Sequence, residues 1–142
     1  MATLNTRELA FVQTARIGHL GTADGAGEPH VVPVCYAILA GAAHILIDRK
    51  PKRFDDPHKL KRVANIAAHP RACLTVDRYD EDWSRLAFVM MRGAAMLVDE
   101  GEEYEAAVRS LQLRYPQYRE QRLEGRPVIA LRIETVTSWG VL

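Results

Sequence analysis

Apolar positions along this chain recur first at helical spacing and then, for most of its length, at alternating spacing. Asn5 precedes Glu8 at the interval of a capping box, and Leu9, Val12 and Gln13 follow at helical intervals, which predicts a helix over about residues 6 to 15. Two alternating runs come next, Ile17 to Thr22 and Pro29 to Ile38, with ADGAGE between them as a hairpin turn. In the second run His30, Val32, Val34, Tyr36 and Ile38 share one face, and Val31, Pro33, Cys35 and Ala37 share the other. Pro33 has no amide to give a sheet ladder, so it belongs on an edge, at a bulge, or where a ligand meets the backbone.

A further turn at Ala40 to Ala43 returns the chain through a strand from His44 to Asp48, which completes a three-strand meander. Asp56 and Pro57 then read as the N-cap and first position of a helix whose apolar stripe is Leu60, Val63, Ala64 and Ala67, and which Pro70 stops. Strands follow at Arg71 to Asp77 and Leu86 to Val98, on either side of the polar loop YDEDWSR. A helix from about Glu102 to Tyr115, with stripe Tyr104, Val108, Leu111 and Tyr115, leads to VIALRIETVT as a closing strand. The sum is a mainly β chain with peripheral helices, six antiparallel strands forming a small closed or split barrel, because closure removes the unpaired edges that invite aggregation.

Composition narrows this without changing it. At 142 residues, 48% hydrophobic and 26% charged, the chain suits one soluble domain over residues 1 to 142. A formal net charge of +1 gives no general attraction to polyanions, so no nucleic-acid partner is expected. Cys35 and Cys73 sit in apolar segments at no metal-ligand spacing and read as buried thiols of a reducing compartment. The start MATLNTRELAF does not have the form of a secretory signal, and no apolar stretch is long enough to span a bilayer, so the expected location is cytoplasmic, with no membrane partner.

Candidate chemistry is concentrated in one place. Arg49, Lys50, Lys52, Arg53, Lys59, Lys61 and Arg62 fall between a strand and the first turns of the predicted second helix. Free amides and the positive end of a helix dipole, beside that many cations, suit a phosphate-bearing ligand. A solvated basic face balanced by Asp55 and Asp56 accounts for the same residues. GHLGTADGAGE precedes a strand instead of opening a helix and so is a hairpin, not a dinucleotide loop. The histidines at 19, 30, 44, 58 and 69 form no close ligand pair, and no nucleophile elbow or phosphate loop is present, so no metal is expected and any catalysis falls to a cofactor. Trp83, in a loop of charged residues, calls for a neighbour or ligand to pack on.

Taken together, RIGHLGTAD with EPHVVPVCYAI, IDRKPKR, LKRVANIAAHPRACLTVD, YDEDWSRL, and RYPQYR followed by LEGRPVIAL resemble the pyridoxamine 5'-phosphate oxidase-like split β-barrel proteins (FMN-binding split barrels). Within them the chain is most similar to the branch of coenzyme F-420 (deazaflavin) oxidoreductases. The resemblance spans nearly the whole chain. It implies a homodimer with two equivalent sites built from both subunits, binding coenzyme F-420 or FMN and passing hydride to an unsaturated or conjugated small-molecule substrate. By position it puts Val32, Pro33 and Val34 beside the ring. Asp48, Lys50, Lys52 and Arg62 fall at the ring edge and tail phosphate, and Trp83, Ser84 and Arg85 reach in from the partner. Other proteins of this kind hold a flavin, haem or tetrapyrrole without turnover, so simple binding is the alternative.

Overall fold

The computed structural model describes residues 3–47, 56, 59–123 and 125–142. Helix α1 (Thr6–Thr14) opens on the expected capping box: the Asn5 side chain accepts from the Glu8 amide at 2.8 Å, and Glu8 accepts from the Asn5 amide at 2.9 Å. Its buried face is Glu8, Phe11 and Val12. Burying Glu8 requires more than the cap, and its second carboxylate oxygen accepts from the Ser138 hydroxyl at 2.6 Å, which ties the helix start to the end of the chain.

Eight strands form among the described residues where six are predicted, because two of the predicted strands divide. Strands β1 (Gly18–Ala23) and β2 (Pro29–Val34) make the hairpin, and β3 (Ala37–Leu39) and β4 (Ala42–Leu46) continue the meander. Strands β5 (Arg71–Arg78) and β6 (Ala87–Val98) follow, then β7 (Val128–Arg132) and β8 (Thr135–Gly140). All pairings are antiparallel, in the order β2-β1-β5-β6-β7-β4-β3, with β8 also on β6. The two ends of this path, β2 and β3, are consecutive in the chain and joined through Cys35 and Tyr36. The sheet therefore wraps around a core without a hydrogen-bonded ladder closing it.

The run that was expected to be one strand from Pro29 to Ile38 breaks because its first half pairs with β1 and its last residues pair with β4. The closing strand divides at a bulge. Ala95 pairs with Leu131 and Arg92 with Thr135, so Gly93 and Ala94 face the three residues Arg132, Ile133 and Glu134. The Ile133 amide donates to the Gly41 carbonyl (3.1 Å), and the Glu134 amide returns to Arg92 (2.8 Å). Gly93 is what lets the backbones close here, since a Cβ at that position would stand 1.7 Å from the Arg132 carbonyl oxygen.

Helix α2 spans Lys61–Ala68, so it begins later than predicted, with Leu60 as its N-cap; Asp56 is exposed outside it, and Pro57 lies outside the described residues. Its buried face is Val63, Asn65 and Ile66; Ala64 and Ala67 point to solvent, which corrects the predicted stripe by about one position. Helix α3 (Glu102–Arg114) buries Tyr104, Ala107 and Leu111 against the outer side of β4. Strand β4 is covered on both faces, with Ala43 and Ile45 in the barrel core beside Leu20, Tyr36, Leu74 and Met91. Neither cysteine is fully buried as expected; both are free thiols and half-buried.

On the α3 side of β4, buried His44 meets the Glu103 carboxylate at 2.9 Å, and Arg132 grips both oxygens of the same carboxylate. The Arg132 hydrogen bonds, helped by His44 and opposed by partial burial, hold Glu103 at about 2, against an ordinary 4.5. A carboxyl lowered on folding stabilises the native state above its unfolded value and loses that contribution as pH falls towards its folded value. The urea midpoint should therefore fall between about pH 4.5 and pH 2, and Glu103→Gln should flatten that part of the profile. An unchanged profile in the variant would remove this cluster from the acid response.

Candidate functional site

The break between β2 and β3 is held open by the end of α3. The Tyr115 hydroxyl accepts from the Tyr36 amide (3.2 Å) and from Arg114 Nε (3.0 Å), and its proton faces the carbonyls of Arg16 (2.9 Å) and Tyr36 (3.1 Å). Arg114 Nε also donates to the Tyr36 carbonyl at 2.8 Å. These bonds satisfy the Tyr36 amide and carbonyl where the strand gives up its ladder. Tyr36 itself is buried, its hydroxyl donates to the Val12 carbonyl, and burial pushes its phenol up to about 12 despite the nearby Arg114.

Beside this kink lies a cleft of about 370 Å³. Its floor is Pro33, Val34 and Cys35, with Ile45 and Leu46 behind them. Arg62 of α2 stands on one wall; Tyr115 and, from the 3₁₀ segment after α3, Gln117 and Tyr118 form the other, with Gln121 beyond. The cleft thus combines an apolar floor, a guanidinium and two amide side chains, within the size range of small-ligand sites. Among the described residues Pro33 sits on an edge strand, paired only with His19 across β1, where a residue without an amide N–H costs the sheet least.

Of the residues singled out in the sequence, Pro33, Val34 and Arg62 come together in this cleft. Val32 does not line it; it shares the inner face of β2 with Val34 and packs against the barrel core, and only Val34, at the end of the strand beside the kink, also reaches the cleft. Asp48, Lys50 and Lys52, together with Arg49 and Arg53, lie outside the described residues. Lys61 is turned to an exposed ion pair with Asp24 at 3.6 Å. Trp83, Ser84 and Arg85 do not line the cleft of their own chain: they form a 3₁₀ turn capped by Asp82, with Ser84 Oγ donating to Asp82 at 2.7 Å and Arg85 paired with Asp80 at 3.2 Å. Trp83 is 70% exposed.

The sequence marks Tyr115 only as part of a helical stripe, and Gln117, Tyr118 and Gln121 not at all, although RYPQYR contains the first three. The available signal was Pro116 directly after an aromatic at the end of a helix, which forces the chain out of α3 and leaves both tyrosines beside the barrel.

A wrapped antiparallel sheet, open at a kinked strand and walled there by helices, defines the split-barrel class. The chain belongs to the pyridoxamine 5'-phosphate oxidase family, whose pattern matches residues 5–140. No curated protein matches it. Among solved structures it is similar to a conserved hypothetical protein from Mycobacterium tuberculosis, with 21% identity over 99% of this chain and 86% of that one, TM-score 0.78. It is also similar to the haem storage protein of Vibrio cholerae, with 14% identity over 98% and 95% of the two chains, TM-score 0.75. An F-420 reductase is 19% identical over 90% and 94%, TM-score 0.62. No helix among the described residues is long and apolar enough to cross a membrane.

Proposed function

We propose that the chain is an oxidoreductase that holds coenzyme F-420 or FMN in this cleft and uses it to reduce an unsaturated or conjugated small molecule. The observation that carries the reading is the meeting of Pro33 and Val34, on a strand edge left unpaired among the described residues, with Arg62 across the same cleft. A flat ring needs an apolar floor that presents no stranded donor, and its anionic tail needs a fixed cation. Family membership and the similarity to an F-420 reductase support the choice of cofactor.

When bound, a deazaflavin supplies two-electron hydride chemistry, and FMN adds one-electron steps and reaction with oxygen. The chain's own residues position and shield. Val34, Ile45 and Leu46 exclude water from the floor, Arg62 balances tail charge, and Gln117 stands on the wall where a ring edge would lie. Similarity to a haem storage protein supports a second reading, in which the cleft stores or senses a haem, tetrapyrrole or flavin without turnover. Mass spectrometry of the ligand released from purified protein separates the two: FMN or F-420 is expected, and a tetrapyrrole with its intense visible band would overturn the proposal.

The site is proposed to be shared between two copies of the chain. Tyr79, Trp83, Trp139 and Val141 are each more than half exposed at one end of the sheet, and Trp139 stacks on Phe88 with ring centroids 6.4 Å apart. So much exposed aromatic surface suits an interface. Light scattering should give twice the chain mass, and Trp83→Glu should shift the protein towards monomer and weaken cofactor binding together. A monomer that binds one cofactor per chain would contradict the shared site.

A further inference from the structure

A second cleft, of about 480 Å³, opens between the C-terminal end of α1 and the outer faces of β1 and β5, and shares Ile17 with the first. Its lining divides by chemistry. Phe11 and Ile17 form an apolar wall; Arg16, Arg78, His19 and Asp77 form a polar one. Arg78 is committed to the fold, since it donates to the carbonyls of Arg85 (2.9 Å) and Val141 while its guanidinium lies over the Phe11 ring at 5.5 Å.

Arg16 is differently placed. One terminal nitrogen donates to the Arg114 carbonyl, and the guanidinium lies 4.7 Å from the centre of the Tyr115 ring. The side chain is thereby fixed, yet among the described residues no carboxylate pairs with it, and a guanidinium has five donors. His19 stands on the same outer face, directly opposite Pro33 on one side and Thr75 on the other, with Nδ1 4.0 Å from Asp77. Two guanidiniums against one carboxylate leave the cleft electropositive, and a pre-positioned arginine with unused donors is the arrangement that binds carboxylates with little ordering cost.

We propose that this cleft binds a small aromatic or conjugated carboxylate, its acid group on Arg16 and His19 and its ring against the exposed side chain of Ile17. The ring would then lie beside the wall shared with the first cleft. The inference stands on the second cleft alone and does not need a cofactor in the first. An acid group at this place could belong to a free small molecule or to the anionic tail of a ligand held next door; the proposal is the free molecule.

Benzoate is the probe, titrated into the full, isotope-labelled chain and followed by NMR at the His19 ring and the Arg16 Nε–H. Saturable shifts at both are expected, with the neutral analogue benzamide about tenfold weaker. Arg16→Ala should weaken benzoate about tenfold, the scale of one lost charge-assisted contact. Asp77→Asn should tighten it about threefold by removing a like charge, a gain that a damaged fold could not produce. Arg109→Ala, on the exposed side of α3, should change nothing. The proposal is overturned if benzoate leaves Arg16 and His19 unmoved or binds all variants alike. Displacement by FMN would also overturn it, by assigning the cleft to a cofactor tail. Because FMN binding is read separately, failure here is distinct from failure of the proposed function.

Discussion

Gly93→Ala is expected to prevent stable folding. The added Cβ would stand 1.7 Å from the Arg132 carbonyl oxygen and 3.1 Å from the Glu134 amide nitrogen, and both are backbone atoms that no rotamer change can move aside. Relief would require parting β6 from the bulge between β7 and β8, which also carries the Glu134-to-Arg92 bond and the reach of Ile133 to Gly41. Losses above about 4 kcal/mol are exceptional for one methyl group, but a domain of this size has only about 5–15 kcal/mol in total, so a backbone collision here should consume most of it. Gly25→Ala in the β1–β2 turn is the control: a Cβ there meets nothing within 4 Å, and it should be neutral or slightly stabilising. Urea unfolding of both variants checks the pair. A Gly93→Ala protein with the parent's midpoint would show that the bulge is not the tight junction described.

The second large effect is expected at Arg62. Reversal of its charge in Arg62→Glu should weaken whichever of FMN and coenzyme F-420 the protein binds by roughly ten- to hundredfold, the equivalent of about 1.5–3 kcal/mol for a charge-assisted contact. Lys61→Glu makes the same change of charge one residue earlier, where the side chain is half exposed and turned to Asp24, and should have almost no effect. Titration followed by the ring's visible absorption reads both variants, with thermal melts to confirm that each is folded. Equal affinities in Arg62→Glu and the parent would reduce the basic segment to a solvated surface.

Much of the fold was legible because its signals are local. The Asn5–Glu8 box fixed the start of α1 to the residue, and alternation put Val34 and Tyr36 on one face and Val31 and Pro33 on the other, and the fold turns the first face inward. The two strand divisions were not legible, since both are tertiary. Cys35 and Tyr36 leave the ladder because Tyr115 and Arg114, some 80 positions on, satisfy the Tyr36 backbone. The alternation of VIALRIETVT continues through a bulge whose cause is the approach of β6 at Gly93. The late start of α2 is of the same kind: Asp56 and Pro57 carry the signals of a helix start, yet the helix begins after Leu60, where Val63 and Ile66 reach the core.

Candidate-site residues divide along the same line. Pro33 and Arg62 stand out by residue type, a proline in a strand and a cation near a helix start, and the fold brings them to one cleft. Val32 carries no such mark; it shares the inner face with Val34 but lies two residues further from the kink, and so packs on the core without reaching the cleft. Tyr118, Gln117 and Gln121 escaped because their role depends on where the segment after α3 lands, which no local pattern encodes. His19 looked like an isolated histidine in the sequence, and only the pairing of β1 with β5 sets it near Asp77.

The most direct test of the central claim is a crystal structure of the protein grown with FMN or coenzyme F-420. The expected result is ring density along Pro33 and Val34 in the cleft beside Tyr115, with the anionic tail towards Arg62 and a second copy of the chain covering the open side. Ring density remote from Pro33, or a ligand held by one chain without Arg62, would contradict it.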